Sequence, residues 1–439
     1  MSGGDGVRVR FAPSPTGMLH PGGARTALFD FLFARFYSGK LVLRVEDTDL
    51  ARSEKRFEES LFEDLEWLGL AFDEGPFRQS ERGEVYEKYL VRLEDAGFTY
   101  EAKDEAGRTA LYFRPPERDG VFHDALRGEV SFGKVPDFVV RKSDGTPSYN
   151  FAVVADDTDM GITHVIRGEE HLSNTARQSL VYRALGEGEP EFVHLGVILG
   201  PDGKKLSKRH GAASIEEFRR EGYLPEAVVN HLALLGWSHP DGKEFFASLD
   251  ELADEWTPER LGASPSTFDP ERLLGLDAEH IRALGIGELR ERTAPFLDEP
   301  LPEGREDVAA EAMREDMKKL SDAPEVLRAI TGAVETERFA ADLPESSAGM
   351  FSHVAGRLEA VEDLDLEAAR GFVKELRGWA KENGIKTRDL LHPLRLALTG
   401  RDRGPEMAYI FAVLGKEGSR LRIEAAREAI LTRVAPYKN

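Results

Sequence analysis

The chain has 439 residues, 41% of them hydrophobic, a formal charge of −22 and no cysteine. That length and apolar content fit a globular protein of about two to four domains, and the missing thiols exclude disulfides, thiolate nucleophiles and cysteine-held zinc. So acidic a whole repels polyanions, which excludes indiscriminate binding to nucleic acid or membrane surfaces but leaves room for a local basic face. No apolar run reaches membrane-spanning length and the first six residues lack a signal-peptide core, which predicts a cytoplasmic location and no membrane partner.

Val7 to Phe11 alternates apolar and polar residues like a strand, ended by Pro13 and Pro15. Gly22 to Ser38 carries Ala27, Leu28, Phe31 and Leu32 at helical spacing, and Leu41 to Val45 reads as a second strand. Strand, glycine-bearing turn, helix, strand opens a doubly wound parallel sheet, whose ligands bind beyond the carboxyl ends of the strands. His20 and Glu46 fall at that edge. Helices are predicted over about Ser53–Leu68 and Ser80–Ala96, with Phe57, Leu61, Leu65 and Leu68 facing inward in the first.

Between Tyr100 and Pro136 the pattern breaks into short apolar pieces, which reads as an insertion between two half-sheets. Asp137–Lys142 and Tyr149–Ala155 flank Ser143-Asp-Gly-Thr-Pro147, a signal for an antiparallel hairpin. Winding resumes with a strand ending at Arg167, a helix over about Asn174–Leu185 and one strand over Phe192–Leu199. Ser214 and Glu217 match a capping box, and Pro225 starts a further helix. Beyond Trp237 the chain reads as helices joined by short links, with Gly384, Gly400, Gly404 and Gly415 as punctuation. A helical half without evident catalytic residues points to recognition.

Two polar stretches carry the chemistry. Lys204-Lys-Leu-Ser-Lys-Arg-His-Gly211 crowds cations behind a turn at Pro201-Asp-Gly203, which suits a polyphosphate; on charge alone a solvated basic loop is the better explanation. Phe11 to Ala24 sets His20 and the Gly22-Gly23 pair between the first strand and the first helix.

Together with Leu43-Arg-Val-Glu-Asp-Thr-Asp49, Val165-Ile-Arg-Gly-Glu-Glu-His171, Tyr149-Asn-Phe-Ala-Val-Val154 and Leu391-His-Pro-Leu-Arg395, these stretches resemble the bacterial glutamyl-tRNA synthetases, class I aminoacyl-tRNA synthetases. His20-Pro-Gly-Gly23 stands where that family has its HIGH-type motif, and Lys205-Leu-Ser-Lys-Arg209 where it has KMSKS. The resemblance implies a Rossmann-like doubly wound sheet split by an α+β insertion, then an all-α anticodon-binding region. It also implies ATP-dependent attachment of L-glutamate to tRNA(Glu). A glutamate carboxylate oxygen attacks the α-phosphorus of ATP and pyrophosphate leaves, then a hydroxyl of the 3′-terminal adenosine of tRNA takes the glutamyl group and AMP leaves. Positioning and charge compensation serve this reaction without a nucleophilic side chain.

The implied division is 1–98 and 149–237 for the catalytic halves, 99–148 for a shortened acceptor-stem insertion, 238–305 for a stem-contact linker and 306–439 for anticodon binding. His20, Lys205 and Lys208 are the implied catalytic residues, with Gly22, Gly23, Glu170 and Ser207 also on ATP. Arg10, Ala12, Ser14, Glu46, Tyr149 and Arg167 are implied to hold glutamate: the arginines its carboxylates, Glu46 its ammonium group. Mg²⁺ is expected to arrive with ATP, so Asp47 and Asp49 are read as structural and no zinc is expected. The implied partners are tRNA(Glu), glutamate and ATP, and the implied state is a monomer.

Departures are visible. The Tyr100–Arg127 stretch is shorter than the usual insertion, Pro21 replaces a common valine, and Leu273-Leu-Gly-Leu276 lacks a frequent tryptophan and asparagine. Arg314, Arg388, Arg395 and Arg401 are candidate anticodon contacts only, and solvated helix faces are the stronger explanation of them. The competing functions are a non-discriminating or glutamine-type relative and a non-catalytic tRNA-binding paralogue.

Overall fold

The computed structural model describes residues 6–48, 54–103, 107–206, 214–340 and 343–434. Internal contacts divide the chain into two compact units, one of residues 1–220 and 225–276, the other of 221–224 and 277–439.

In the first unit, β1 (Arg8–Phe11), α1 (Pro21–Phe36) and β2 (Lys40–Val45) form the predicted opening, followed by α2 (Lys55–Trp67), β3 (Glu74–Arg78) and α3 (Gly83–Asp95). β1, β2 and β3 are parallel, with Arg10 opposite Val42 and Phe11 opposite Leu43. α1 is buried on more than one face, from Ala27 and Leu28 round to Phe29, Phe33 and Ala34. The sheet covers one side, while α7 (Pro225–Ala233) and α8 (Leu249–Glu255) cover another. Phe29 and Phe33 there meet Trp256 at ring-centroid distances of 6.5 and 6.4 Å.

The stretch after α3 holds β4 (Thr99–Lys103), β5 (Thr109–Phe113), β6 (Gly120–Asp124), β7 (Gly128–Phe132) and β8 (Phe138–Arg141). β4, β5 and β8 make a separate antiparallel sheet. β6 does not stay with them: it pairs parallel to β10 (Glu191–Leu195), which pairs parallel to β9 (His164–Gly168), with β7 outermost. Part of the predicted insertion is therefore woven into the main sheet. The half-sheets meet at β1 and β9, where the Thr163 amide donates to Arg8 O at 2.9 Å.

The hairpin predicted around Ser143–Pro147 is half wrong. Its turn closes, with Lys142 N donating to Thr146 O at 2.8 Å, but Tyr149–Ala155 belongs to α4 (Tyr149–Asp159). Phe151 to Asp157 are all buried there, and an apolar run buried all round shows neither a strand nor a helix period. The single strand predicted over Phe192–Leu199 is also broken, into β10 and β11 (Ile198–Leu199). Gly196 lies at the break, where a Cβ would stand 2.3 Å from Ser264 O. α5 (Leu172–Leu185) and α6 (Ile215–Arg220) follow the prediction, and Glu217 N donates to Ser214 Oγ at 3.2 Å as the capping box requires. β12 (Ser266–Thr267) pairs parallel to β11, and α9 (Pro270–Ala283), capped by Asp269, carries the division between units.

The second unit is helical: α10 (Ile286–Thr293), α11 (Glu306–Arg314), α12 (Ala323–Thr331), α13 (Thr336–Ala340), α14 (Ser346–Glu359), α15 (Leu366–Glu382), α16 (Thr387–Thr399) and α17 (Met407–Val434). Helix C-termini leave carbonyls unpaired, and here cations from α17 take them. Arg422 donates to Ile330 O and Thr331 O at 2.7 Å, to Gly332 O at 2.9 Å and to Leu398 O, closing α12 and α16 together. Lys416 Nζ closes α14 through Glu359 O and Val361 O. Gly415, at φ 67°, kinks α17 where Arg305 donates to Ala412 O.

Candidate active site

A cavity of about 780 Å³ opens in the first unit at the carboxyl ends of β1, β2 and β9. It is lined by eleven of the thirteen predicted site residues: Arg10, Ala12, Ser14, His20, Gly22, Gly23, Glu46, Tyr149, Arg167, Glu170 and Lys205. Ser207 and Lys208 lie outside the described residues, as does Asp49. Asp47 accepts from the amide and hydroxyl of Ser80, at 2.8 and 2.6 Å, which agrees with its structural reading. Among the described residues no cluster of His, Asp and Glu could hold a metal ion.

His20 precedes α1 and caps it: Nδ1 accepts from the Gly22 amide at 3.0 Å and the Gly23 amide at 3.2 Å. These amides are therefore not open anion donors; the imidazole has taken them. Acceptance at Nδ1 puts the neutral ring's proton on Nε2. Burial, then the charge of Lys205, holds His20 below the ordinary histidine pKa, against a smaller opposing effect of Glu170. The glycines serve packing, since a Cβ on Gly22 would stand 2.9 Å from His20 Cε1 and one on Gly23 2.9 Å from Leu19 Cδ1.

On the strand side of the cavity three guanidinium groups meet. Arg44, fully buried, donates to Asp157 at 2.6 Å and Glu46 at 3.3 Å, and its Nε lies 3.7 Å from Asp156. Arg10 Nε reaches the same Asp157 at 3.3 Å. Asp156 is shared with Arg82, at 2.6 Å. Arg167 differs: among the described residues no carboxylate pairs with it. Thr175 Oγ1, Gln178 Oε1 and His194 Nε2 hold it at 2.6, 2.7 and 3.3 Å, and its buried Nη1 has no hydrogen-bond partner. Desolvation lowers its pKa, which marks an uncompensated buried cation. Burial raises the Glu46 carboxyl against the pull of Arg44 and Arg10. Tyr149, 3.3 Å from His171 Nδ1, is pushed up to about 12 by burial and then by Glu46, while burial and Arg167 bring His171 down to about 4.

At the mouth, Lys205 Nζ stands 3.9 Å from Glu170 Oε1, both side chains exposed. An ion pair this open is worth about 0–1 kcal/mol, so it yields readily to a better anion. The predicted turn precedes it, with Gly203 N donating to Gly200 O at 2.9 Å. The sequence reading missed Asp156 and Asp157 of α4, as well as Thr175, Gln178 and His194. The two carboxylates ending an apolar helical run were the one available signal, because buried acids need buried cations.

Residues 6–110 and 101–274 match the description of tRNA synthetases class I (E and Q), catalytic domain, and residues 288–427 that of an anticodon binding domain. The chain belongs to this family of class I tRNA synthetases. Within it, the chain is 61% identical over 426 residues to glutamate–tRNA ligase 1 of Rubrobacter xylanophilus, covering 97% of this chain and 99% of that one. It is 41% identical to glutamate–tRNA ligase 1 of Fervidobacterium nodosum over 461 aligned positions, covering 94% and 97%. That alignment is longer than the 439-residue chain, so the relative carries residues this chain lacks. The crystal structure of a glutamate tRNA ligase from Elizabethkingia meningosepticum in complex with its amino acid superposes with a TM-score of 0.86 at 30% identity, covering 97% and 99%.

Proposed function

We infer that the chain is a glutamate–tRNA ligase that forms glutamyl adenylate from L-glutamate and ATP, then transfers the glutamyl group to the 3′-terminal adenosine of tRNA(Glu). The observation that carries this reading is Arg167: a buried guanidinium that has, among the described residues, no carboxylate partner and no hydrogen-bond partner at Nη1, lining a cavity that also presents Arg10. Such a cation favours a ligand that brings its own carboxylate.

Arg10 and Arg167 receive the carboxylates of glutamate, Glu46 its ammonium group, and Tyr149 a hydrogen bond, with Ser14 and the Ala12 backbone completing the pocket. His20 donates a hydrogen bond from its Nε2–H to the phosphates of ATP, whose Mg²⁺ arrives with it as part of the substrate. Lys205 exchanges Glu170 for the departing pyrophosphate, with Lys208 and Ser207 also acting on ATP. Gly22 and Gly23 give the adenosine close approach to α1, and Glu170 stands on the ATP side. Residues 1–98 and 149–237 act as the catalytic halves, 99–148 as the acceptor-stem segment, 238–305 as the stem contact and 306–439 as the anticodon reader, in a cytoplasmic monomer. Charging of total tRNA with labelled glutamate, glutamine and aspartate tests the reading: ester is expected with glutamate alone, and none with any of the three overturns it.

A further inference from the structure

A buried run of polar groups leads from the β6–β7 hairpin to Arg167, and nothing in the reaction outlined above employs it. Asp124 ends β6 and is fully buried. Its Oδ1 accepts from the amides of Leu126 and Arg127 at 3.0 and 2.9 Å. Its Oδ2 accepts from the His194 amide at 3.0 Å and lies 2.7 Å from His194 Nδ1. A carboxylate at that distance fixes the imidazole proton on Nδ1, so the lone pair of neutral His194 is at Nε2. Nε2 stands 2.8 Å from Thr175 Oγ1 and 3.3 Å from Arg167 Nε.

Thr175 Oγ1 and Gln178 Oε1 take Arg167 Nη2, so two of the three guanidinium nitrogens are held and the third, Nη1, is left over. Asp124, His194, Thr175 and Gln178 are all at most 1% exposed, so water does not substitute for any of these bonds. A planar guanidinium fixed at two nitrogens has its third fixed by geometry. The wrong tautomer of His194 would set one N–H against another at Arg167 Nε and release that constraint.

We propose that Asp124 and His194 are positioning residues for glutamate: the carboxylate sets the imidazole tautomer, the imidazole orients Arg167, and Nη1 is thereby presented to a substrate carboxylate. The proposal rests on the glutamate reading. Neither residue lines the cavity, so their effect is on glutamate affinity and not on the ATP side.

The test compares two replacements of His194 in the full chain, by steady-state charging with glutamate and ATP varied separately. His194→Gln keeps an acceptor where Nε2 was; His194→Asn keeps only the donor toward Asp124. The expected result is a rise in KM for glutamate of tenfold or more in the Asn variant, less than threefold in the Gln variant, with KM for ATP within twofold in both. Equal effects of the two variants, or parallel changes in both KM values, would show a merely structural role and overturn the proposal. If either variant fails to fold by circular dichroism, Thr175→Val decides: isosteric, it removes the hydroxyl shared by His194 and Arg167. A threefold or greater rise in glutamate KM alone supports the relay, and an unchanged KM ends it. Wild-type chain that charges no glutamate overturns the functional reading instead, so the two failures are distinguishable.

Discussion

Arg44 and Asp157 form a 2.6 Å ion pair with both side chains closed to solvent, and Asp157 also holds Arg10 at 3.3 Å. One helix carboxylate thus anchors the guanidinium under the cavity and aims the one that lines it. Asp157→Asn leaves both arginines short of a counter-charge, and removing one partner of a buried pair costs about 3–5 kcal/mol. Burial resists ionisation of Asp157, but Arg44 and then Arg10 outweigh it and hold the carboxyl below the ordinary aspartate range. A depressed folded pKa gives stability that is present above the unfolded value, about 3.9, and lost as pH falls through the folded one. Urea melts at pH 7 should therefore separate wild type from Asp157→Asn widely, with the gap narrowing only as pH drops below about 4.

The dual use of His20, cap and phosphate donor, can be taken apart. Asparagine is among the best helix caps, so His20→Asn should keep the melting temperature within about 2 °C while kcat falls on the order of 10²–10³-fold. His20→Ala should lose the same activity and a further ~1 kcal/mol of stability. Full kcat in the Asn variant would restrict the imidazole to capping.

Arg167→Lys preserves charge and discards the fork held by Thr175, Gln178 and His194. KM for glutamate should rise by about 100-fold, on the order of 3 kcal/mol, with KM for ATP unchanged. Separate titrations of the two substrates check this.

Arg422→Met tests the second unit. It strips donors from four carbonyls closing α12 and α16, and unpaired buried acceptors cost about 1–3 kcal/mol each. Loss of about 3 kcal/mol or more in chemical denaturation is expected. KM for glutamate and ATP should not move.

The affinity for tRNA should fall steeply between low and moderate salt despite the formal charge of −22, since phosphate neutralisation is local. Filter binding across a salt series measures the slope, and a flat line would contradict a basic face.

The opening of the sheet was legible because β1 alternates and α1 carries Ala27, Leu28, Phe31 and Leu32 at helical spacing, and both polar motifs lie beside elements the pattern marks clearly. α4 was not legible as a helix: Tyr149–Ala155 is a short apolar run of aromatic and β-branched residues, and burial on all sides erases periodicity. Eleven of the thirteen residues singled out in the sequence line one cavity. Asp157 and His194 were missed because their partners lie 147 and 27 residues away, at Arg10 and Arg167, and pairing over such separations leaves no local mark.

The pairing of β6 with β10 bears on any attempt to exchange the 99–148 segment with that of a longer relative. It cannot be treated as a detachable cassette. Cutting out residues 120–132 would strip β10 of a neighbour and leave its backbone groups open to pairing with another molecule. Chimaeras should be joined within the β4–β5–β8 layer, where the graft ends on its own hydrogen-bonded ladder.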